Sequence, residues 1–230
     1  MLNVYFLKLD FNISDHDLLM LEKTVSSQRV EYAKQYHQRK DYIRSILSSA
    51  LLYYALNKNG IDKKDIIIEK SPRGKPFLKD SKNIDFNITH SGNWVACAID
   101  TNNIGIDIEQ IKDINVTDFE EILSTEETDY IDQNKENFYQ IWTLKESFLK
   151  ALGVGVYKSL SSFTIQPYDK HYAKVFQNDN DEKQWHFYNF NLDKEHACSI
   201  CSQSKISKKH FNFLEYKSFY ELVAISTKNF

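Results

Sequence analysis

Cysteine, proline and glycine are scarce in this chain, whose 230 residues include three cysteines, three prolines and six glycines. An odd set of three cysteines is too small for the disulfide framework of a secreted domain. The opening residues, MLNVYFLKLDFN, interrupt their apolar run with polar and charged side chains, unlike a secretory leader. No apolar run approaches the ~20 residues that a membrane helix needs. We therefore expect a protein of the reducing cytoplasm with no membrane partner.

The chain also lacks an excess of positive charge. It has 29 Lys and Arg residues against 32 Asp and Glu, for a formal net charge of −3. Proteins that grip the nucleic-acid backbone need a basic surface, so no nucleic-acid partner is expected. An anionic ligand would have to be held by a local cluster of basic residues. A hydrophobic content of 42%, with no low-complexity tract, predicts a well-packed core.

The hydrophobic periodicity predicts an α+β chain whose second half loosely repeats the first. Apolar residues recur at helical spacing over Lys40–Asn57 and over Lys135–Leu152, and a further short helix is expected to begin at Ser26 or Ser27. Alternating segments predict strands at Asn3–Lys8, Ile66–Glu69, Pro76–Leu78, Asp85–Thr89, Trp94–Ile99, Ile104–Glu109, Ser162–Gln166, His171–Phe176, Trp185–Asn191, His196–Ser202 and His210–Tyr216. We expect two similar lobes, residues 1–102 and 103–230, each an antiparallel sheet packed on a long helix.

Cys198 and Cys201 have the spacing of a redox pair or of half a zinc site. No second cysteine pair or histidine pair completes a metal site. Because the surrounding segment is apolar and strand-like, we predict a buried strand instead.

Two carboxylates stand out in the predicted strand Ile104–Glu109. Side chains alternate along a strand, so the isoleucines face one way and Asp107 and Glu109 the other. These acids, roughly 7 Å apart at the backbone, repel each other unless one is protonated or a cation lies between them. Mg²⁺ prefers such oxygen ligands. Alone, the pattern fits a half-buried strand with a solvated acidic face equally well.

A second group lies on the helix Lys135–Leu152. Trp142, Glu146 and Lys150 are spaced four residues apart and share one flank of the helix. A Glu–Lys pair at this spacing is ordinary on exposed helices. Here it borders the apolar stripe, where charged side chains are uncommon without a function.

The third group is basic and lies in the first half. The turn Arg73–Pro76 presents two cations, and the strand end Asn87–Ser91 carries Thr89, His90 and Ser91. Arg29, Arg39, Lys40 and Arg44 lie on or beside the first two predicted helices. Such groups can clamp phosphates through charge-assisted hydrogen bonds, although each one alone is typical of an ordinary protein surface.

Taken together, these segments resemble the Sfp-type 4'-phosphopantetheinyl transferases in order and spacing, over about residues 26–163. The motifs that carry the resemblance are Gly74-Lys75-Pro76, Asn87–Ser91, Gly105–Glu109 and Trp142-x-x-Lys145-Glu146-x-x-x-Lys150. Thr89 stands where the family has serine, and Tyr32 stands where a second basic residue can occur. The resemblance implies two pseudo-twofold-related lobes: the first binds the nucleotide of coenzyme A, and the second supplies the metal and catalytic residues.

The resemblance also implies a role for each motif residue. Asp107, Glu109 and Glu146 would be the ligands of Mg²⁺, with Mn²⁺ as an alternative. Lys150 would contact the transferred phosphate, and Glu146 or Glu127 would accept a proton. The coenzyme A pocket would be formed by Arg29, Arg44, Ser45, Lys75, Thr89 and His90, with Lys150 at the phosphate being transferred.

The implied reaction moves phosphopantetheine from coenzyme A to a serine of an apo peptidyl, aryl or acyl carrier protein and releases adenosine 3',5'-bisphosphate. The segment after Gly153 is expected to meet the carrier, and a chain of this size is expected to act as a monomer. Two alternatives stay open: an inactive relative that binds coenzyme A or a carrier, and a metal-dependent phosphohydrolase.

Overall fold

A four-stranded sheet, with three strands from the first half of the chain, packs on one long helix. A computed structural model describes residues 1–81, 83–155, 158–178 and 180–227, without the side chains of 225–227. The first sheet has the order β12-β1-β5-β4. Its strands are β1 (Asn3–Lys8), β4 (Asp85–Ser91), β5 (Trp94–Asp100) and β12 (Phe211–Leu214). Helices α1 (Asp15–Glu22), α2 (Ser27–Ala33) and α3 (Arg39–Lys58) follow β1, and a ribbon of β2 (Ile68–Lys70) and β3 (Pro76–Leu78) precedes β4.

The second half repeats this plan with a helix between two sheets. Strands β6 (Ile104–Gln110), β10 (His186–Asp193) and β11 (His196–Ser202) form a sheet of order β10-β11-β6. Strands β7 (Thr164–Asp169), β8 (Tyr172–Gln177) and β9 (Asn180–Asp181) form the other. Between the sheets lies α5 (Lys135–Leu152), preceded by α4 (Thr125–Ile131). The α+β architecture with two sheet-and-helix halves confirms the predicted fold class.

The core has three apolar layers. One lies between α3 and the first sheet, and another surrounds α5. The third lies between the two large sheets, where Val4 and Phe6 of β1 meet Ile106 and Ile108 of β6 and Ile200 of β11. The isoleucines of β6 therefore face the first sheet, which leaves its acidic residues on the side of α5.

The C-terminal end departs from the predicted boundary. Strand β12 pairs in parallel with β1, so it belongs to the first sheet and that sheet is not wholly antiparallel. Helix α6 (Tyr216–Thr227) places Phe219 and Val223 in the first-half core. The prediction that all of 103–230 forms the second lobe is therefore wrong for this segment. A strand was also predicted through Tyr216, but the backbone begins a helix there, and α1 was not predicted at all.

Cys198 and Cys201 lie within β11 as free, buried thiols. Cys198 belongs to the apolar layer between the sheets, whereas Cys201 belongs to the layer around α5. Because they point to opposite faces of one strand, they cannot bind one metal together. The predicted buried strand is confirmed. No helix in the described part of the chain has the length and apolar character to cross a bilayer.

A side-chain ladder joins the two large sheets where β4 and β6 run side by side. Alternate residues of β4 accept hydrogen bonds from alternate backbone amides of β6, at 2.9–3.3 Å. The pairs are Asp85 with Ile104, Asn87 with Ile106, Thr89 with Ile108 and Ser91 with Gln110. The ladder satisfies amides on the edge of β6 that no neighbouring strand pairs.

Gly105 lets α5 approach β6 closely. A Cβ atom at this residue would lie 2.0 Å from the carbonyl oxygen of Ser147 and 2.4 Å from the amide nitrogen of Ala151. Both obstacles are helix backbone, which cannot rotate away as a side chain can. Only glycine therefore permits the observed distance between strand and helix.

Replacing this glycine should separate the strand from the helix. We expect Gly105→Ala to lower the free energy of unfolding by about 3 kcal/mol, since overpacking against rigid backbone is costly. Gly60→Ala is the control: its Cβ would meet nothing within 4 Å, and only the strain of φ +88° applies, about 1 kcal/mol. Urea unfolding followed by circular dichroism measures both. Equal losses of unfolding free energy in the two variants would contradict the close contact between β6 and α5.

Candidate active site

The acidic face of β6 lies under the last turns of α5. Asp107 is 3% exposed, and Lys150 Nζ lies 2.6 Å from its Oδ1 atom. Lys150 also donates to the carbonyl oxygen of Ile106 at 3.4 Å. Thr89 connects this pair to the ladder, because its hydroxyl donates to Asp107 Oδ1 at 3.3 Å and accepts from Lys150 at 3.4 Å. The second oxygen of Asp107, Oδ2, is buried without a partner.

Glu109 and Glu146 complete an acidic cluster with Asp107. The pKa of Glu109 is raised to about 7, mainly by burial and then by the neighbouring charge of Asp107, with a smaller contribution from Glu146 and against the opposing effects of Ser91 and Lys150. Burial and then Asp107 also raise the pKa of Glu146. Ser91 holds Glu109 by donating to its Oε2 atom at 3.1 Å. Three carboxylates against one ammonium group leave an excess of negative charge that suits a divalent cation.

The carboxylates of Asp107, Glu109 and Glu146 suit a hard cation that also takes oxygen ligands from another molecule. Asp107 offers an unpartnered buried oxygen, and all three side chains supply the oxygen atoms that Mg²⁺ prefers. In the described ranges, no three His, Cys, Asp or Glu side chains form a group able to hold a metal by themselves. The structure therefore brings the three predicted metal ligands into one electrostatic cluster, although not into a closed metal cage.

A group of cations lies beside the acidic cluster. Burial lowers the pKa of His90, and the charges of Arg44, Lys150 and Arg29 lower it further, so these groups share one region. Arg44 pairs with Asp41 and donates from Nη2 to the carbonyl oxygen of Gly92 at 3.0 Å. The positive charges of Arg44, Lys150 and Arg29 would together stabilise an anionic ligand bound among them.

Four predicted site residues carry buried polar atoms without a partner. Among the described residues, the buried side-chain atoms without a hydrogen-bond partner include Arg29 Nε, Arg44 Nε, Ser45 Oγ and Asp107 Oδ2. Buried polar atoms are nearly always paired. Four such atoms among the predicted site residues indicate that this region is built to receive a polar ligand.

Lys75 has different partners from those predicted. Its ammonium group lies 2.5 Å from Asp85 Oδ2 and donates to the carbonyl oxygens of Ile104 and Ala151 at 3.3 and 3.4 Å. It therefore joins the turn before β3 to the first rung of the ladder and to the end of α5. The ammonium group is committed within the protein rather than directed to a ligand.

Glu127 differs most from its predicted role. It is 0% exposed, and Lys145 Nζ lies 2.5 and 2.7 Å from its two oxygens. Its oxygens also accept from the amides of Ser124 and Ile165. Lys145, equally buried, donates to the carbonyl oxygen of Phe163 at 2.8 Å. This satisfied, enclosed carboxylate is poorly suited to accept a substrate proton, so the expectation that it acts as a base does not agree with its surroundings.

Sequence reasoning named Asn87, Ser91 and Lys145 within motifs but gave no supporting role to them, and it did not name Asp85 as a site residue. Asp85, Asn87 and Ser91 hold β6 in place, and Lys145 holds Glu127. Alternating polar residues at 85, 87, 89 and 91 were a visible signal, since alternation predicts one polar face. The partner of that face, an unpaired strand edge, could not be deduced from the pattern.

Comparison with known proteins gives consistent matches over both halves. Residues 103–201 match the 4'-phosphopantetheinyl transferase superfamily, and residues 9–102 match the 4'-phosphopantetheinyl transferase N-terminal family. The chain is 32% identical to the 4'-phosphopantetheinyl transferase gsp of Aneurinibacillus migulanus, over 88% of this chain and 86% of the relative. It is also 32% identical to the 4'-phosphopantetheinyl transferase Sfp of Bacillus subtilis (strain 168), over 72% of this chain and 76% of the relative.

The buried pair of Glu127 and Lys145 should act mainly on stability. Removing either partner leaves an uncompensated buried charge, so we expect Glu127→Ala and Lys145→Ala each to cost about 3–5 kcal/mol of unfolding free energy. The double variant Glu127→Leu/Lys145→Met should recover most of that loss. Urea unfolding measures all three. As a control, Asp113→Ala, which breaks the exposed pair with Lys135, should change little. An unaltered midpoint for Glu127→Ala would contradict the anchoring role.

Proposed function

The chain belongs to the Sfp-type 4'-phosphopantetheinyl transferase family, and from this premise we propose a Mg²⁺-dependent transfer to a serine of an apo carrier protein. Movement of 4'-phosphopantetheine from coenzyme A to a carrier protein is the activity of this family. The proposal adds the metal, the serine acceptor, the release of adenosine 3',5'-bisphosphate and the role of each site residue. The carrier would be a peptidyl, aryl or acyl carrier protein.

One observation carries the proposal. Asp107 accepts from Lys150 through Oδ1 and keeps Oδ2 buried without a partner, in the same region as the unpartnered guanidinium nitrogens of Arg29 and Arg44. A pyrophosphate ester matches that combination, because its oxygens accept from cations and also share a divalent metal with carboxylates. We propose that Asp107, Glu109 and Glu146 hold Mg²⁺, with Mn²⁺ as an alternative. When bound, such a cation neutralises charge on the phosphates.

The cations are proposed to hold the two ends of coenzyme A. Arg29, Arg44 and Ser45 would bind the nucleotide phosphate through their unpartnered atoms, and Thr89 and His90 would line the path from there to Lys150. Lys150 would contact the phosphate being transferred and stabilise its charge. Because the ammonium group of Lys75 is bound internally, we propose that it serves the pocket by fixing the turn that carries it.

Glu146 is the proposed proton acceptor. It is only partly enclosed, and burial together with Asp107 raises its pKa, which favours uptake of a proton. The serine oxygen forms a bond to the β-phosphorus of coenzyme A, and its proton passes to Glu146. The bond from that phosphorus to the bridging pyrophosphate oxygen breaks, and adenosine 3',5'-bisphosphate leaves.

A monomer is proposed for the active form. Arg44 and Thr89 from the first sheet-and-helix half and Asp107 and Lys150 from the second reach the same region within one chain. No second copy is needed to assemble it. We propose that the carrier approaches near the segment after Gly153, which adjoins the end of α5, and that the protein acts in the cytoplasm.

The reaction can be tested directly. Incubation with coenzyme A, Mg²⁺ and an apo carrier should add about 340 Da to the carrier, the mass of one phosphopantetheine group. Intact-protein mass spectrometry on a panel of peptidyl, aryl and acyl carriers measures the product. A carrier with its serine changed to alanine is the control. Release of adenosine 3',5'-bisphosphate without a carrier would instead indicate a phosphohydrolase, and unmodified carriers throughout would contradict transfer.

The roles of the acids can be separated by a magnesium titration. Asp107→Ala should abolish transfer, and a chelator should do the same to the unaltered protein. Glu146→Gln should lose roughly 10²–10⁴-fold in kcat, as expected when general base catalysis is removed, and saturating Mg²⁺ should not restore it. Glu136→Gln, an exposed acid on the same helix, is the matched control. Full rescue of Glu146→Gln by Mg²⁺ would leave Glu146 as a ligand only.

A further inference from the structure

The hairpin between β10 and β11 contacts the hairpin between β4 and β5. Asp193 is the centre of this contact: its carboxylate accepts from Trp94 Nε1 at 2.8 Å, His196 Nδ1 at 2.8 Å and the amide of Glu195 at 2.9 Å. Trp94 belongs to the first sheet, whereas Asp193 and His196 belong to the second. One carboxylate therefore joins hairpins from both halves of the molecule.

The imidazole ring of His196 packs directly against the turn between β4 and β5. Its ring is 2% exposed, and a Cβ atom on Gly92 would lie 2.2 Å from its Nε2 atom. Gly92 also has φ +54°, in the left-handed region that favours glycine. Both the backbone conformation and the adjacent imidazole therefore require glycine here, and the ring limits where the turn can lie.

The same turn touches both ends of the candidate active site. The carbonyl oxygen of Gly92 accepts from Arg44 Nη2 at 3.0 Å, which orients a guanidinium of the cation group. The preceding residue, Ser91, donates to Glu109 Oε2 at 3.1 Å and accepts from the amide of Gln110 at 3.0 Å. A shift of this turn would displace Arg44 and Glu109 together.

We propose that Asp193 and His196 are positioning residues for the transfer reaction: they clamp the Gly92 turn and thereby set Arg44 and Glu109 relative to each other. The inference rests on the proposed function. Neither residue acts on substrate, because His196 is buried behind the turn and Asp193 is occupied by Trp94, His196 and the amide of Glu195. Their effect passes through Gly92 to Arg44 and through Ser91 to Glu109.

Two substitutions of His196 separate the clamp from general packing. His196→Asn keeps a nitrogen donor near the place of Nδ1 and should hold Asp193, whereas His196→Leu keeps bulk but donates nothing. His196→Leu should raise the KM for coenzyme A about tenfold and lower kcat/KM by up to about a hundredfold, since small misplacements of binding groups are costly. The KM for the carrier should not change, and His196→Asn should restore most of the loss.

The contact with Gly92 can be tested by a double-mutant cycle. Gly92→Ala should sharply raise the KM for coenzyme A in the unaltered protein, because its Cβ meets the imidazole. In the His196→Asn background the imidazole ring is absent, so Gly92→Ala should raise the KM for coenzyme A several-fold less. Equal losses in both backgrounds would overturn the clamp. His171→Leu is the control, because His171 bonds to the carbonyl oxygen of Asn189, outside this contact.

Binding of adenosine 3',5'-bisphosphate, measured by calorimetry, distinguishes this inference from the proposed function. If the unaltered protein neither binds that nucleotide nor modifies any carrier, the proposed function fails. If the unaltered protein binds it and His196→Leu binds it equally well, the clamp is overturned. Should His196→Leu not fold, Trp94→Phe removes the indole donor to Asp193 and keeps an aromatic ring in its place. Trp94→Phe should then weaken nucleotide binding several-fold, and unchanged binding overturns the clamp.

Discussion

The edge of β6 faces a neighbouring strand with which it forms no backbone pairing. Its amides are satisfied by the side-chain ladder from β4, and two lysines bond to carbonyl oxygens along the same strand. A buried peptide group without a partner costs about 1–3 kcal/mol, so the distance and register between β4 and β6 are tightly constrained. Thr89 and Ser91 also contact Asp107 and Glu109. The hydroxyls that join the two sheets therefore also orient the carboxylates of the site.

Burying three neighbouring carboxylates lowers the stability of the fold, and the apolar packing around them offsets that loss. Burial raises the pKa of Asp107, Glu109 and Glu146, which means that each charged form is less stable there than in water. The opposite face of β6 buries Ile104, Ile106 and Ile108 completely, and each such burial contributes about 2 kcal/mol. One strand thus combines a stabilising apolar face and an acidic face, and Gly105 brings α5 close enough to enclose the acidic face.

Local patterns in the sequence predict most elements and the motif residues of the site. The bounds of β1, β3, β11 and α5 agree with the predicted segments. For α5 the reason is clear, because its apolar periodicity is strong and Asn134 and Gly153 cap its ends. Partners distant in sequence could not be predicted. Lys75 bonds to the carbonyl oxygen of Ala151, 76 residues away, and β12 returns to pair with β1. Such pairings depend on tertiary packing, which leaves no periodic signal in either segment.

Glu127 and Glu146 show why a motif alone does not assign a base. Both are glutamates on helices, yet their neighbours differ in charge. Glu127 lies against the ammonium group of Lys145 and accepts from two backbone amides, so no lone pair of its oxygens is directed to a substrate. Burial raises the pKa of Glu146, and the nearby charge of Asp107 raises it further. Proton uptake requires a carboxylate whose neutral form is accessible, and that condition favours Glu146 over a buried carboxylate whose two oxygens are already occupied by Lys145 and backbone amides.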